Sequence, residues 1–540
     1  MDRLSGLDAA FLYLETPSLH MHVSLAAIFD PSTVPGGYSF EKMRGFIASR
    51  IPLAPLFRRK IAEVPFRMGH PYWVDDPDFD LDFHVRRAAL PHPGSIENLA
   101  EFASDVNSRQ LDRSKPLWQM YFVEGLQDGR IAIVSKIHHC TIDGVSGAEL
   151  MTHLFDLEAA PPPKEIPEQG PPEKLPSDRD LIAQALIQRL TKPLAVTRLA
   201  WATGKSVLEV RRLRQQADSS SGKAALPLTA PRTSLNAALT PHRKIAFSSI
   251  ALDDVKRLKN HLGCTVNDVV LALCTRALRS YLIAGNELPE HALVATVPVS
   301  VHQHGEDIAG INKVSGMFVG LPTFEPDPLR TVEVIKAGTR GAKEEHSALG
   351  ADKLLNWAQH ASPNVFSAAV RTYTRLKLSD RHRPVQNLVI SNVPGPDFPL
   401  YFGGAEMVAG FPLGPAMEGA ALNVTVMSYR GVLNWGLVVG AEAVPRVWEI
   451  ADAVPEALDE LLAAAGLDPA LPMGVTMHRR ARASGRRRTT QSASGSRGGP
   501  GGSGERRTSR PAPSSPSGAP APVRKVPPRK AASKTPSSGK

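Results

Sequence analysis

A chain of 540 residues, 42% hydrophobic and 21% charged, has apolar content for more than one folded domain and is not disordered throughout. Its formal charge of +10 resembles a nucleic-acid signal only until it is placed along the chain. Sixteen basic residues against one acid, Glu505, give His478 to Lys540 a charge of +15 and leave the remainder at −5, so the basic excess is a property of the tail.

From the N-terminus, MDRLSGLDAAFLYLE carries Asp2, Asp8 and Glu15, which interrupt any apolar run and argue against a signal peptide. No stretch approaches the roughly 20 apolar residues of a membrane span, so lipid would be met from the surface. Cys140, Cys264 and Cys274 are odd in number and lack the spacing of a disulfide framework or a zinc knuckle, which places the protein in a reducing cytosol.

The first block, residues 1–158, mixes strand and helix patterns. RIAIVSKIHH (130–139) alternates and is rich in β-branched residues, a strand; GAELMTHLFDL (147–157) has leucines at helical spacing. Residues 159–234 are a connection: APPPKEIPEQGPPEKLP (160–176) is too rich in proline for a helix or sheet interior. Residues 178–216 follow as a basic amphipathic segment, broken near Pro193, that suits either an anionic membrane or a crossover helix packed on a domain. The second block, 235–477, contains a helix at 266–282, strands at 292–301 and 387–395, and two strands over 422–439 that turn at Arg430 and Gly431. Residues 478–540 lack the large apolar residues needed to offset ordering entropy and are expected to be disordered. Two mixed halves point to an α/β architecture.

The strongest local chemical signal is His138-His139-Cys140-Thr141-Ile142-Asp143-Gly144, where a strand runs out towards a helix. A histidine there can project into a cleft with its second ring nitrogen fixed by a carbonyl, neutral and basic near pH 7. Adjacent histidines taken alone are more often structural. His20/His22 and His302/His304 form H-x-H pairs with no third or fourth ligand converging in sequence, so no metal site is expected. There is no G-x-S-x-G elbow of a serine lipase. Gly499, Gly501 and Gly504 spell G-x-G-x-x-G, but within the tail rather than after a strand. Cys140 reads as a small packing residue beside the histidines.

The segment resembles the HHxxxDG signature of coenzyme A-dependent acyltransferases, and the chain as a whole resembles the bacterial wax ester synthase/acyl-CoA:diacylglycerol acyltransferase family. The resemblance runs from Met1 to about Leu471, through LSGLDAAFLYLETPSLHMHV, PLW (Pro116, Leu117, Trp118), HHCTIDG, NDVVLA (267–272), VSGMFVGLPT (314–323), SNVPGP (391–396) and LNVTVMSYRG (422–431). It implies two chloramphenicol acetyltransferase-like α/β halves with the reaction centre in a channel between them. The implied substrates are a long-chain acyl-CoA donor and a diacylglycerol or fatty-alcohol acceptor. The implied place of action is peripheral, at the inner membrane face or a lipid droplet. A condensation-type ester or amide synthase shares the signature, but this chain has no carrier domain and does have PLW and NDVVLA. A weakly catalytic lipid-droplet coat or polyanion tether is the alternative from outside enzymes.

By the same resemblance His139 is the proton acceptor and His138 supports the loop. Asp143 is a structural brace paired with an arginine the sequence does not identify, and Gly144 permits the bend. Pro116, Leu117 and Trp118 either line the substrate channel or pack in the core. Asn267 and Asp268 open a helix, with the Asn267 amide either stabilising developing charge or serving as an ordinary helix cap. The thioester is already activated, so no cofactor or metal is called for, and the tail is a candidate contact for polyanions.

Overall fold

The computed structural model describes residues 2–141, 153–162, 164, 177–191, 228–300, 314–349 and 363–469. In the first half the elements are β1 (Asp2–Arg3), α1 (Gly6–Leu14), β2 (His22–Asp30), α2 (Phe40–Arg50), β3 (Arg59–Ala62), β4 (Tyr72–Asp75) and α3 (Leu81–His84). They continue with β5 (Val85–Ala89), α4 (Ile96–Asn107), β6 (Trp118–Glu124) and β7 (Ile131–His138), and α5 (Asp178–Thr191) follows. The second half holds β8 (Arg243–Ala251), α6 (Leu252–Leu262), α7 (Val266–Ala284), β9 (Leu293–Ser300), β10 (Val314–Leu321), α8 (Pro328–Leu349) and α9 (Pro363–Arg375). It ends with β11 (Leu388–Val393), β12 (Tyr401–Phe402), β13 (Ala405–Leu413), β14 (Leu422–Tyr429), β15 (Val432–Gly440) and α10 (Val447–Ala464).

Each half is built on a six-stranded mixed sheet, of order β12-β13-β2-β7-β6-β5 in the first and β10-β9-β11-β14-β15-β8 in the second; β1, β4 and β3 make a small third sheet. The strands expected at 130–139, 292–301 and 387–395 are β7, β9 and β11, and the 266–282 helix is α7. Residues 422–439 form a hairpin, β14 with β15. It turns at Arg430 and Gly431, whose φ values of 47° and 78° are the positive pair that a tight turn between right-twisted strands requires. α7 is apolar almost all round because it is buried on every side, packed against α6, α8 and α10. Residues 147–152 of the helix expected at 147–157, most of the proline-rich segment, the 192–216 part of the amphipathic segment and the tail lie outside the described residues; His153 and Leu154 are helical, and Asp156 instead bridges to Tyr401.

Residues 401–413 come late in the chain yet hydrogen-bond into the first sheet. β13 runs antiparallel to β2, Glu406 opposite Asp30 and Leu413 opposite Ser24, with a bulge between Met407 and Ala409. The strand is covered by the second sheet. A Cβ on Gly436 of β15 would lie 1.9 Å from the Pro412 carbonyl oxygen, so only glycine allows this approach. Phe411 of β13 also meets Phe247 of β8, ring centroids 4.5 Å apart. The two halves are thus joined by a shared strand and a common apolar core, within one unit, Met1–Arg479. Among the described residues no helix is long and apolar enough to cross a membrane.

Candidate active site

β7 delivers the histidine pair. Its alternation buries both faces, and the strand ends at His138, opposite His22 of β2. Two backbone bonds hold the exit: the His138 N–H donates to the Leu117 carbonyl at 3.0 Å and the His139 N–H to the Met21 carbonyl at 2.8 Å. His138 is fully buried. Its Nδ1 accepts the Cys140 N–H at 3.1 Å, which leaves the ring proton of the neutral tautomer on Nε2. That Nε2 faces Glu15 Oε2 at 3.6 Å, a polar contact longer than a hydrogen bond.

His139 is only partly buried and stacks on Phe11, ring centroids 4.0 Å apart. Burial, together with the neighbouring His138, pushes its pKa down to about 4 against a bond to its own backbone that works the other way, so the imidazole is neutral at pH 7. Nδ1 is buried with no hydrogen bond to another of the described residues, and the only backbone group acting on the ring is that of His139 itself. The Met21 carbonyl bonds the backbone instead of the ring.

Behind the pair lies a carboxylate that sequence reading did not single out. Glu15 follows α1 directly, its side chain 2% exposed. Arg113 holds its Oε2 through Nε at 3.0 Å and Nη2 at 2.6 Å, and ties the same network to α1 through the Leu12 carbonyl. His22 Nε2 lies 3.2 Å from Oε1. Burial opposes the charge on Glu15, but His138, His22 and Arg113 outweigh it and hold the carboxyl well below its usual range. Burial presses His22 to about 3 despite Glu15, so one carboxylate and one guanidinium form the charged pair between two neutral imidazoles. The buried Lys136 of β7 is set apart from it: its Nζ donates to the Val106 and Arg109 carbonyls, closing the C-terminal end of α4. The only sequence signal for this cluster was the LETPSLHMHV run, in which Glu15 ends a helix and His22 starts a strand.

Pro116, Leu117 and Trp118 are buried, and their geometry is that of packing. Trp118 donates from Nε1 to the Phe57 carbonyl, stacks on His84 with ring centroids 4.5 Å apart, and accepts the His84 Nδ1–H through its own carbonyl at 2.7 Å. Leu117 contributes the carbonyl that anchors His138. Asn267 is not the helix cap. Thr265 is, with its hydroxyl accepting the Asp268 N–H and the Asp268 carboxylate accepting the Thr265 N–H in return. Asp268 also accepts the Thr339 hydroxyl of α8, so it is a structural brace, while Asn267 stays half-buried at the start of α7. Burial raises the Cys140 thiol far above its ordinary value and makes it no nucleophile. Both nitrogens of His20 face carbonyl oxygens, of Asn107 and Pro17, and among the described residues no group of three His, Cys, Asp or Glu side chains is placed to hold a metal ion. Asp143, Gly144, His302 and His304 lie outside the described residues.

Residues 4–270 match the wax ester synthase/diacylglycerol acyltransferase catalytic domain, and residues 311–462 match the C-terminal domain of the same family. The chain belongs to the wax ester synthase/diacylglycerol acyltransferase family. A diacylglycerol O-acyltransferase by name from Mycobacterium tuberculosis (strain CDC 1551 / Oshkosh) is 41% identical over 464 residues, covering 86% of this chain and 90% of its own. A second relative named for that activity in Mycobacterium tuberculosis (strain ATCC 25618 / H37Rv) is 35% identical, over 86% of this chain and 100% of its own. Among solved structures, the wax ester synthase/diacylglycerol acyltransferase from Marinobacter aquaeolei VT8 superposes with a TM-score of 0.61 at 28% identity, over 86% of this chain and 100% of that one. The starter condensation domain of rhizomide synthetase shares the fold at 13% identity, with a TM-score of 0.50 over 87% of this chain and 95% of its own. The protein is therefore an acyltransferase whose histidine pair falls inside its catalytic domain.

Proposed function

We propose that this acyltransferase moves a long-chain acyl group from coenzyme A to the free hydroxyl of diacylglycerol, with a fatty alcohol as a second acceptor, and that His139 is its general base. The observation that carries the assignment is a neutral imidazole, partly buried just past the end of β7, beside a partner histidine that is wholly enclosed. His139 takes the acceptor proton as the oxygen attacks the thioester carbonyl, then returns it to the thiolate of coenzyme A as the C–S bond breaks. The thioester needs no further activation, so the reaction calls for no cofactor and no covalent enzyme intermediate. His138 fixes the exit of the strand; Asp143 braces the following turn and Gly144 allows its bend. The half-buried Asn267 remains a candidate donor to the developing oxyanion.

The test is a product panel. Labelled palmitoyl-CoA is offered with diacylglycerol, hexadecanol and an amine, and the lipids are resolved. Triacylglycerol as the major product, with a smaller wax ester yield, is expected; label only in the amide would replace this reading with a condensation-type synthase.

The same proposal places the enzyme at the inner membrane face or on a lipid droplet, held partly by the tail, whose sixteen basic residues can exchange counterions for anionic headgroups. A chain ending before His478 should keep its rate on detergent-dispersed substrate, because both family domains lie upstream. Its co-sedimentation with anionic liposomes should fall at low salt, and the difference from the full chain should vanish at high salt. Unchanged low-salt binding would move the adhesion elsewhere, to the basic segment 178–216 first.

A further inference from the structure

One cavity among the described residues lies far from the histidine pair. It has a volume of about 490 Å³ and lies between α2, the turn after β2, the β12–β13 turn and residues 159–162 and 164. Between the β2 and β7 register pairs His22/His138 and Phe29/Ile131 lie seven residue steps, roughly 23 Å of strand, and the cavity is beyond the second pair. The group that reacts at His139 therefore lies well outside it.

Its walls are mostly apolar, from Val34, Phe46, Ala159 and Pro161, and its polar groups carry an excess of positive charge: Lys42, Arg50 and Lys164 against Asp156. Two of these cations are engaged. Lys42 donates to the carbonyls of Pro35, Gly36 and Gly37, and Lys164 to Asp156 and to the His153 and Phe155 carbonyls. Arg50 is 6% exposed and only half satisfied. Its Nη2 bonds Asp156 at 2.7 Å and its guanidinium lies over the Phe46 ring at 4.7 Å, but Nη1 is buried with no hydrogen-bond partner among the described residues. A desolvated guanidinium donor without an acceptor costs stability; Nη1 is itself enclosed, so an anion in the cavity removes that cost when the guanidinium turns towards it. An inorganic anion would leave the apolar walls empty, whereas an acyl chain would fill them, and the volume falls in the range of small-ligand sites.

We infer that this cavity binds an anionic amphiphile, a single carboxylate or phosphate head on an acyl chain, with the head at Arg50 and the chain along Phe46 and Ala159. The site is separate from the acyl-transfer centre and does not depend on the transfer reaction proposed above.

Photolabelling of the full chain tests it. A dodecanoic acid carrying a diazirine in its chain should label peptides within residues 34–50 or 159–164. Excess laurate or dodecyl phosphate should protect those peptides at least tenfold, and dodecanol should not; whichever head protects better identifies a fatty acid or a phospholipid as the source. Changing Arg50 would break its buried pair with Asp156 and risk unfolding, so the variant is Ala160→Trp, at an exposed position on the rim. It should cut labelling there at least tenfold at an unchanged melting temperature. The inference is overturned by labelling confined to other peptides, by equal protection from dodecanol, or by an Ala160→Trp signal within twofold of the parent.

Discussion

His139→Ala is expected to lower acyl transfer by about a hundred- to ten-thousandfold, the usual contribution of a positioned general base. Because His139 is partly buried with Phe11 as its main ring contact, the loss of stability should stay within about 1–3 kcal/mol, and a thermal melt of the variant separates a fallen rate from unfolding. His138→Ala makes the contrast: that ring is wholly buried beside Glu15, and its removal should depress the melting temperature together with the rate. The pH profile of kcat/KM gives an independent readout. A base whose conjugate acid has a pKa of about 4 in the folded protein is active above that value, so the acid limb should lie well below the ordinary imidazole range near 6.5. The stability linked to His139 follows the same sign. It is fully present above pH 6.5, where folded and unfolded rings are both neutral, and is lost as the pH falls towards about 4. Initial rates must therefore be taken before acid unfolding intervenes. An acid limb near 6.5, or a His139→Ala rate within tenfold of the parent, would remove His139 from the mechanism.

What was legible in the sequence was what local pattern encodes. The alternation of IAIVSKIH and the apolar run of α7 gave β7 and α7 within two residues, and the ordered family segments gave the two halves and the histidine pair. Pattern could not place 401–413. YFGGAEMVAGFPL reads as an ordinary strand pair, and its insertion beside β2 depends on a partner almost four hundred residues earlier and on the missing side chain of Gly436. The cap of α7 was misplaced by two residues because Asn267 and Asp268 both favour caps, while Thr265 takes the role through its reciprocal bonds with Asp268. PLW left two readings open, and burial with a backbone bond to His138 favours packing. Glu15 and Arg113 are 98 positions apart, and nothing in either neighbourhood marks them as partners.

Arg113→Met should be the most destabilising single change at this site, and more so than Glu15→Gln, for a reason of burial. The Arg113 side chain is 35% exposed and the Glu15 side chain 2%. With Glu15 neutralised, the guanidinium is left with water and the Leu12 carbonyl; with Arg113 removed, the carboxylate is left buried between two imidazoles that burial keeps neutral. Breaking a buried pair from the exposed side strands the enclosed charge and costs about 3–5 kcal/mol, whereas Glu15→Gln should cost on the order of 1–3 kcal/mol, the range for a buried group whose charged hydrogen bond is lost. The double variant should then be more stable than Arg113→Met alone, since no charge remains to be stranded. Catalysis supplies the second measurement. If Glu15 positions His138, and through it the strand exit that carries His139, then Glu15→Gln should lower kcat with KM nearly unchanged at temperatures well below its melting point. Thermal melts of the two single variants and the double variant, paired with steady-state rates, decide the matter. Equal destabilisation by the two single changes would mean that Glu15 is not the enclosed partner, and an unaltered kcat in folded Glu15→Gln would confine the pair to stability.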